Sequence, residues 1–121
     1  MCLPAPAVAA ALGDAVTGVD VVFWDAASEP PLDFAQAEFW VPPYVSRVPA
    51  REDVARGQAL QVVQLLSAGV EPWLDRIPPG VTLCSGRGIH SGSTAELAVA
   101  GLLSLWRDLP HFLDAQRAHR W

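Results

Sequence analysis

Ser67-Ala68-Gly69-Val70 carries the pattern best suited to binding a small ligand. It follows the apolar run Leu60-Gln61-Val62-Val63-Gln64-Leu65-Leu66, which reads as a strand. Small residues at a strand's carboxyl end leave backbone N–H groups unobstructed, and a carboxylate can accept from several of them at once. The same four residues also fit an ordinary strand-to-helix loop, and local pattern leaves both readings open. A second loop, Ser85-Gly86-Arg87-Gly88-Ile89-His90, follows Val81-Thr82-Leu83-Cys84. Its Gly86-x-Gly88 invites comparison with the phosphate-binding G-x-G-x-x-G. The third position is Ser91, however, and Gly92 falls one residue late, so a tight turn explains the glycines at least as well. The helix that opens near Ser93 begins with unpaired N–H groups and a positive dipole end, which could face a polar ligand.

Other residue types with chemical potential are poorly placed. His90, His111 and His119 have no metal-ligand spacing, and His111 and His119 are more than two helical turns apart. His90 has no evident carboxylate partner for acid–base work. Ser67 lacks the flanking glycines of a nucleophile elbow. Cys2 and Cys84 are too few and too distant for a metal site or a disulfide framework, and Cys84 is expected to be a buried strand residue. No catalytic group and no metal site is therefore expected in this chain. Trp24, Trp40, Trp73 and Trp106 are expected as core or interface aromatics.

The elements that must position these loops follow from periodicity and punctuation. Pro6 opens a short helix through Leu12, closed by Gly13. Strands are expected at Asp20–Trp24, Ala37–Val41, Gln61–Leu66 and Val81–Ser85, with only Cys2-Leu3-Pro4 left of a first, clipped strand. Residues 26–33, with Pro30 and Pro31, read as loop. Residues 51–59 are weakly helical around Gly57, and residues 71–77 form a helical turn. Ser93-Thr94-Ala95-Glu96 fits a capping box with Ser93 as N-cap. The helix that follows is apolar nearly all round, which predicts burial on more than one side. Pro110 ends it and opens a second helix, His111 to His119. Strands alternating with helices predict a parallel α/β sheet with right-handed crossovers.

Composition narrows the class. A chain of 121 residues with 51% hydrophobic residues fits one globular domain. The net charge of −5 is concentrated early, where six acidic residues from Asp14 to Glu38 face only Arg47 in the first fifty positions. No basic patch is present to favour nucleic acid or an anionic membrane. No apolar run reaches the roughly 18 residues of a membrane span. The apolar start, Met1 to Leu12, has no basic leader, so the protein reads as cytoplasmic.

Taken as an ordered set, these pieces resemble the D-isomer-specific 2-hydroxyacid dehydrogenases. The set comprises Leu60 to Val70, Pro79-Gly80-Val81-Thr82-Leu83-Cys84, Arg87-Gly88-Ile89-His90, Ser93-Thr94-Ala95-Glu96, Arg107-x-Leu109-Pro110 and the tail Gln116 to Trp121. Phe39-Trp40-Val41-Pro42-Pro43-Tyr44 fits more loosely, and Glu71 and Ser85 replace the usual Asp and frequent Asn. The resemblance implies a flavodoxin-like parallel sheet flanked by helices, here partial, and a long apolar helix that joins domains and packs in a dimer. It implies NAD or NADP as cofactor and a small 2-hydroxy or 2-oxo acid as substrate, held by the amides of Ala68, Gly69 and Val70. Pro43 and Tyr44 would line the pocket for the substrate's side group, and Thr94 would contact the nicotinamide end of the cofactor. Residues 1–92 would be substrate-domain portion and residues 93–121 interdomain and dimerisation helices. The cofactor fingerprint and the family's Arg, Glu and His would fall beyond Trp121, leaving this chain inactive alone. The alternative is a non-catalytic acid-binding or dimerisation module. Leaving the Leu97–Leu109 helix wet would cost on the order of 10 kcal/mol for several hundred Å², so the isolated chain is expected to oligomerise through that helix, as a homodimer, to repack it, or to aggregate.

Overall fold

The computed structural model describes residues 1–44 and 48–120. Arg47 and Trp121, both used above, lie outside the described residues. The chain forms two compact units, one from Met1 to Arg87 and one from Gly88 onward.

The first unit is built on a five-stranded parallel sheet in the order β2-β1-β3-β4-β5. The strands are β1 (Cys2–Leu3), β2 (Val22–Phe23), β3 (Phe39–Trp40), β4 (Val62–Gln64) and β5 (Thr82–Cys84). This is the flavodoxin-like order, in which the chain runs from β1 outward to β2 and then returns past β1 to build β3, β4 and β5. Every expected strand is present but contracted to two or three residues, because Pro4, Pro42 and small-residue loops stop the ladder early. β1, despite its two residues, sits between β2 and β3, pairing Cys2 with both Val22 and Trp40.

Connections follow the sequence closely in one place and depart from it in two. α1 (Pro6–Leu12) starts on proline and stops at Gly13, whose φ of 53° only glycine adopts without strain. A 3-10 turn then covers Gly13–Val16. The stretch expected as loop continues into a 3-10 helix at Leu32–Gln36, which drives Phe34 into the core. The weak helix shrinks to α2 (Arg51–Val54), ending before Gly57, which lies against the Phe34 ring.

The core is aromatic. Trp40 is fully buried and meets Trp24 at 4.9 Å, Phe34 at 5.4 Å and Trp73 at 5.7 Å between ring centroids. Such pairs add about 0.5–1.5 kcal/mol each beyond their area. Cys2, Val54, Val63 and Leu65 fill the remaining space. Trp24 secures its indole by donating Nε1–H to the Ser28 carbonyl at 3.0 Å. Cys84 is half-buried rather than buried, because β5 is the edge strand.

The second unit consists of α3 (Ser91–Trp106) and α4 (Leu109–Arg117). The expected capping box does not form. α3 starts three residues early, with His90 as N-cap, and Ser93 Oγ instead donates to the His90 carbonyl at 3.2 Å. Nor does Pro110 end this helix: it stops at Trp106, and Asp108 makes the bend in the left-handed region before α4 begins. No residue of α3 is buried, contrary to the burial expected of so apolar a helix, and Trp106 is 85% exposed. Among the described residues, no helix is long and apolar enough to cross a membrane.

Candidate functional site

In a parallel sheet, ligand space opens beyond the carboxyl ends of the strands, near the point where the strand order reverses. β3 leads there into Pro42-Pro43-Tyr44, and β4 into Leu65-Leu66-Ser67-Ala68-Gly69-Val70. The two loops meet around a small cavity of about 40 Å³. Pro43 and Tyr44 line one side and Leu66 and Ser67 the other, with Trp73 and Val48 completing it. The structure thus brings together the pocket residues and the first residue of the turn.

Two of the larger hollows lie elsewhere on the sheet. One of about 260 Å³ lies beside Asp20, Val22 and Asp33, at the amino ends of β1 and β2, which is the wrong end of the sheet. Another of about 320 Å³ lies at the carboxyl ends of β1 and β2, lined by Asp25 and Glu29, away from the loops that follow β3 and β4. Ala27 N–H donates to the Asp25 carboxylate at 2.9 Å, and this bond is the main cause holding that acid below its usual range.

The turn itself is held at its edges and open in its middle. Gly86 N–H donates to the Ser67 carbonyl at 2.7 Å, and Ser67 Oγ donates to the Gly69 carbonyl at 3.2 Å. Trp73 N–H donates to the Val70 carbonyl at 2.9 Å, beginning the 3-10 helix Glu71–Trp73. By contrast, among the described residues no acceptor engages the backbone N–H groups of Ala68, Gly69 or Val70. Ala68 and Gly69 are exposed to solvent. Unpaired backbone donors gathered in a turn form a site for an anionic oxygen.

Two further residues frame this turn, and the sequence does not show the contacts they make. Gln64, the last residue of β4, donates Nε2–H to the Leu65 carbonyl at 2.8 Å and to the Ser85 carbonyl at 3.3 Å. Gly86 packs so closely that a β-carbon there would lie 2.6 Å from the Leu66 carbonyl carbon and 2.7 Å from its oxygen. In the sequence Gly86 reads as half of a failed nucleotide fingerprint or as part of a tight strand-to-helix turn. Its function is steric, allowing the β5 loop to lie on the end of β4. Thr94 stands exposed in the first turn of α3, in the second unit, where its N–H donates to the His90 carbonyl at 3.1 Å. Among the described residues, no three His, Cys, Asp or Glu side chains gather as a metal site would need.

With this geometry in place, solved structures give the comparison. A D-isomer specific 2-hydroxyacid dehydrogenase family protein from Aeromonas salmonicida matches 99% of this chain with a TM-score of 0.75 at 24% identity. The fold is that of D-isomer specific 2-hydroxyacid dehydrogenases. A second such enzyme, from Xanthobacter autotrophicus and solved with NADPH and MES, matches the whole chain with a TM-score of 0.65 at 26% identity. This chain spans 39% and 41% of those two proteins. No protein-family model and no curated protein matches it.

Proposed function

We propose that the turn Ala68–Val70 holds the carboxylate of a small 2-hydroxy or 2-oxo acid, within the substrate-binding part of an NAD(P)-dependent D-2-hydroxyacid dehydrogenase. The observation that carries this reading is that, among the described residues, three consecutive backbone N–H groups of the turn meet no acceptor, while Ser67 at its start lines the Pro43–Tyr44 cavity on a dehydrogenase fold. A carboxylate shared between such donors gains charge-assisted hydrogen bonds, which are about twice as strong as neutral ones. The side group of the acid would then enter the cavity lined by Pro43 and Tyr44.

In the same reading residues 1–92 bind the acid, and residues 93–121 form the interdomain and dimerisation helices. Thr94 contacts the nicotinamide end of NAD or NADP, which when bound supplies or accepts the hydride. This chain's own part is binding and orientation: it fixes the acid's carboxylate so that its C2 is presented in one pose. Leu97, Leu105 and Trp106, all well exposed, support a homodimer through the Leu97–Trp106 part of α3, since large apolar patches mark interaction surfaces. Two free cysteines fit a reducing, cytoplasmic setting.

Titration of the 121-residue protein with oxamate, a non-reacting analogue of a 2-oxo acid, tests the reading by two-dimensional amide NMR. The backbone amides of residues 68–70 are expected to shift together and saturate. Shifts absent there, or confined to another part of the chain, would refute it.

A further inference from the structure

Ser67 is the one polar side chain in the turn, and the bond to its carbonyl and the bond from its hydroxyl fix two different peptide units. A trans peptide is planar, with its C=O and the following N–H pointing in opposite directions. The Ser67 carbonyl is drawn toward the β5 loop by Gly86 N–H at 2.7 Å, so the Ala68 N–H of the same plane faces away from that loop. The Gly69 carbonyl is drawn back toward Ser67 by its Oγ at 3.2 Å, so the Val70 N–H of that plane faces away from Ser67. Glycine at 69 would otherwise let this second plane rotate freely, because it lacks the β-carbon that restricts backbone torsions.

The anchor beneath Ser67 is itself braced. Gln64 spends its carboxamide donor on the Leu65 and Ser85 carbonyls, and Leu65 N–H donates to the Cys84 carbonyl at 2.8 Å. These bonds hold the ends of β4 and β5 together beyond the last paired residues, Gln64 and Cys84. Gly86 can approach Ser67 only because no side chain stands between it and the Leu66 backbone.

We propose that the Ser67 hydroxyl is a positioning residue for acid binding, locking the Gly69–Val70 peptide so that the turn's amides are pre-oriented for a carboxylate. The proposal rests on the reading that this turn is the carboxylate site. Ser67 does no chemistry; its hydroxyl, engaged with the Gly69 carbonyl, removes the rotational freedom that binding would otherwise have to freeze out.

The test compares wild type with Ser67→Ala and Ser67→Thr by NMR titration with oxamate, alongside thermal unfolding. Loss of one hydrogen bond predicts a dissociation constant raised about two- to tenfold in Ser67→Ala. The free protein's Val70 amide resonance should move in that variant. Ser67→Thr, which keeps the hydroxyl, should restore both, while melting temperatures stay close together. If wild type and Ser67→Ala bind oxamate equally through residues 68–70, the proposal fails and the carboxylate reading survives. If Ser67→Thr binds as poorly as Ser67→Ala, the hydroxyl is not the cause and the proposal again fails. If wild type shows no oxamate response at residues 68–70, the carboxylate reading itself is overturned, and this proposal with it.

Discussion

Replacing Glu71 with Gln should tighten acid binding, and the structure gives the size of the effect. A β-carbon on Gly69 would lie 3.1 Å from Glu71 Oε2, so this carboxylate overhangs the turn. For a charge separation of about 6 Å, roughly two hydrogen-bond lengths, between that oxygen and a carboxylate on the Gly69 N–H, the repulsion follows from Coulomb's law. Two negative charges at about 6 Å repel by about 0.7 kcal/mol in bulk water, and by about 1.4 kcal/mol at an effective dielectric constant of about 40. Removing one of them predicts a three- to tenfold gain, roughly, in affinity. The gain is electrostatic and must shrink with salt, falling below about twofold near 0.5 M, where the screening length drops below the charge separation. Calorimetric titration of wild type and Glu71→Gln with oxamate, at low and high salt, measures both quantities. An affinity unchanged at low salt would show that the acid binds elsewhere. An affinity that weakens would show Glu71 to be a ligand-holding residue, and either result refutes the reasoning.

Three further outcomes follow from the packing and charge. Phe34→Ala should cost about 3–5 kcal/mol in urea unfolding, because the ring is fully buried between Trp24 and Trp40 and leaves a cavity that short strands cannot close. Burial pushes the Cys2 thiol from 9.0 up to about 12. The unfolded chain therefore loses this proton first, and stability should fall between pH 9 and pH 12 by up to about 1.4 kcal/mol per unit, a slope that Cys2→Ala should flatten in pH-dependent denaturation. Leu105→Glu, at an exposed apolar position of α3, should convert a dimer to a monomer in light scattering without loss of helical circular dichroism; a wild type that is already monodisperse and monomeric would contradict the interface.

The sheet was legible because its strands are short β-branched and aromatic runs closed by Pro or Gly. Phe39-Trp40 before Pro42-Pro43 and Val62-Val63-Gln64 before Ser67 are clear examples, and both fall inside the expected bounds. The turn after β4 is legible as a pair of alternatives, a carboxylate-holding turn or an ordinary strand-to-helix loop. What could not be read was tertiary. Gln64 reaches Ser85 across 21 residues, and Gly86 matters only because Leu66 lies against it. The start of α3 was misplaced because Ser93 can bond backward to the His90 carbonyl, a local choice that competes with capping. The bend at Asp108 was missed because an aspartate, not a glycine, takes the left-handed conformation there. The exposure of Trp106 shows the limit of periodicity: an all-round apolar helix states that it needs cover, not that its own chain provides it.

The most direct measurement of the central claim is a crystal structure of the protein with oxamate bound. The account predicts both carboxylate oxygens within about 3 Å of backbone nitrogens of residues 68–70, with the carbonyl end of the ligand directed toward Pro43 and Tyr44. Oxamate bound at any other place, with those nitrogens facing only water, would contradict it.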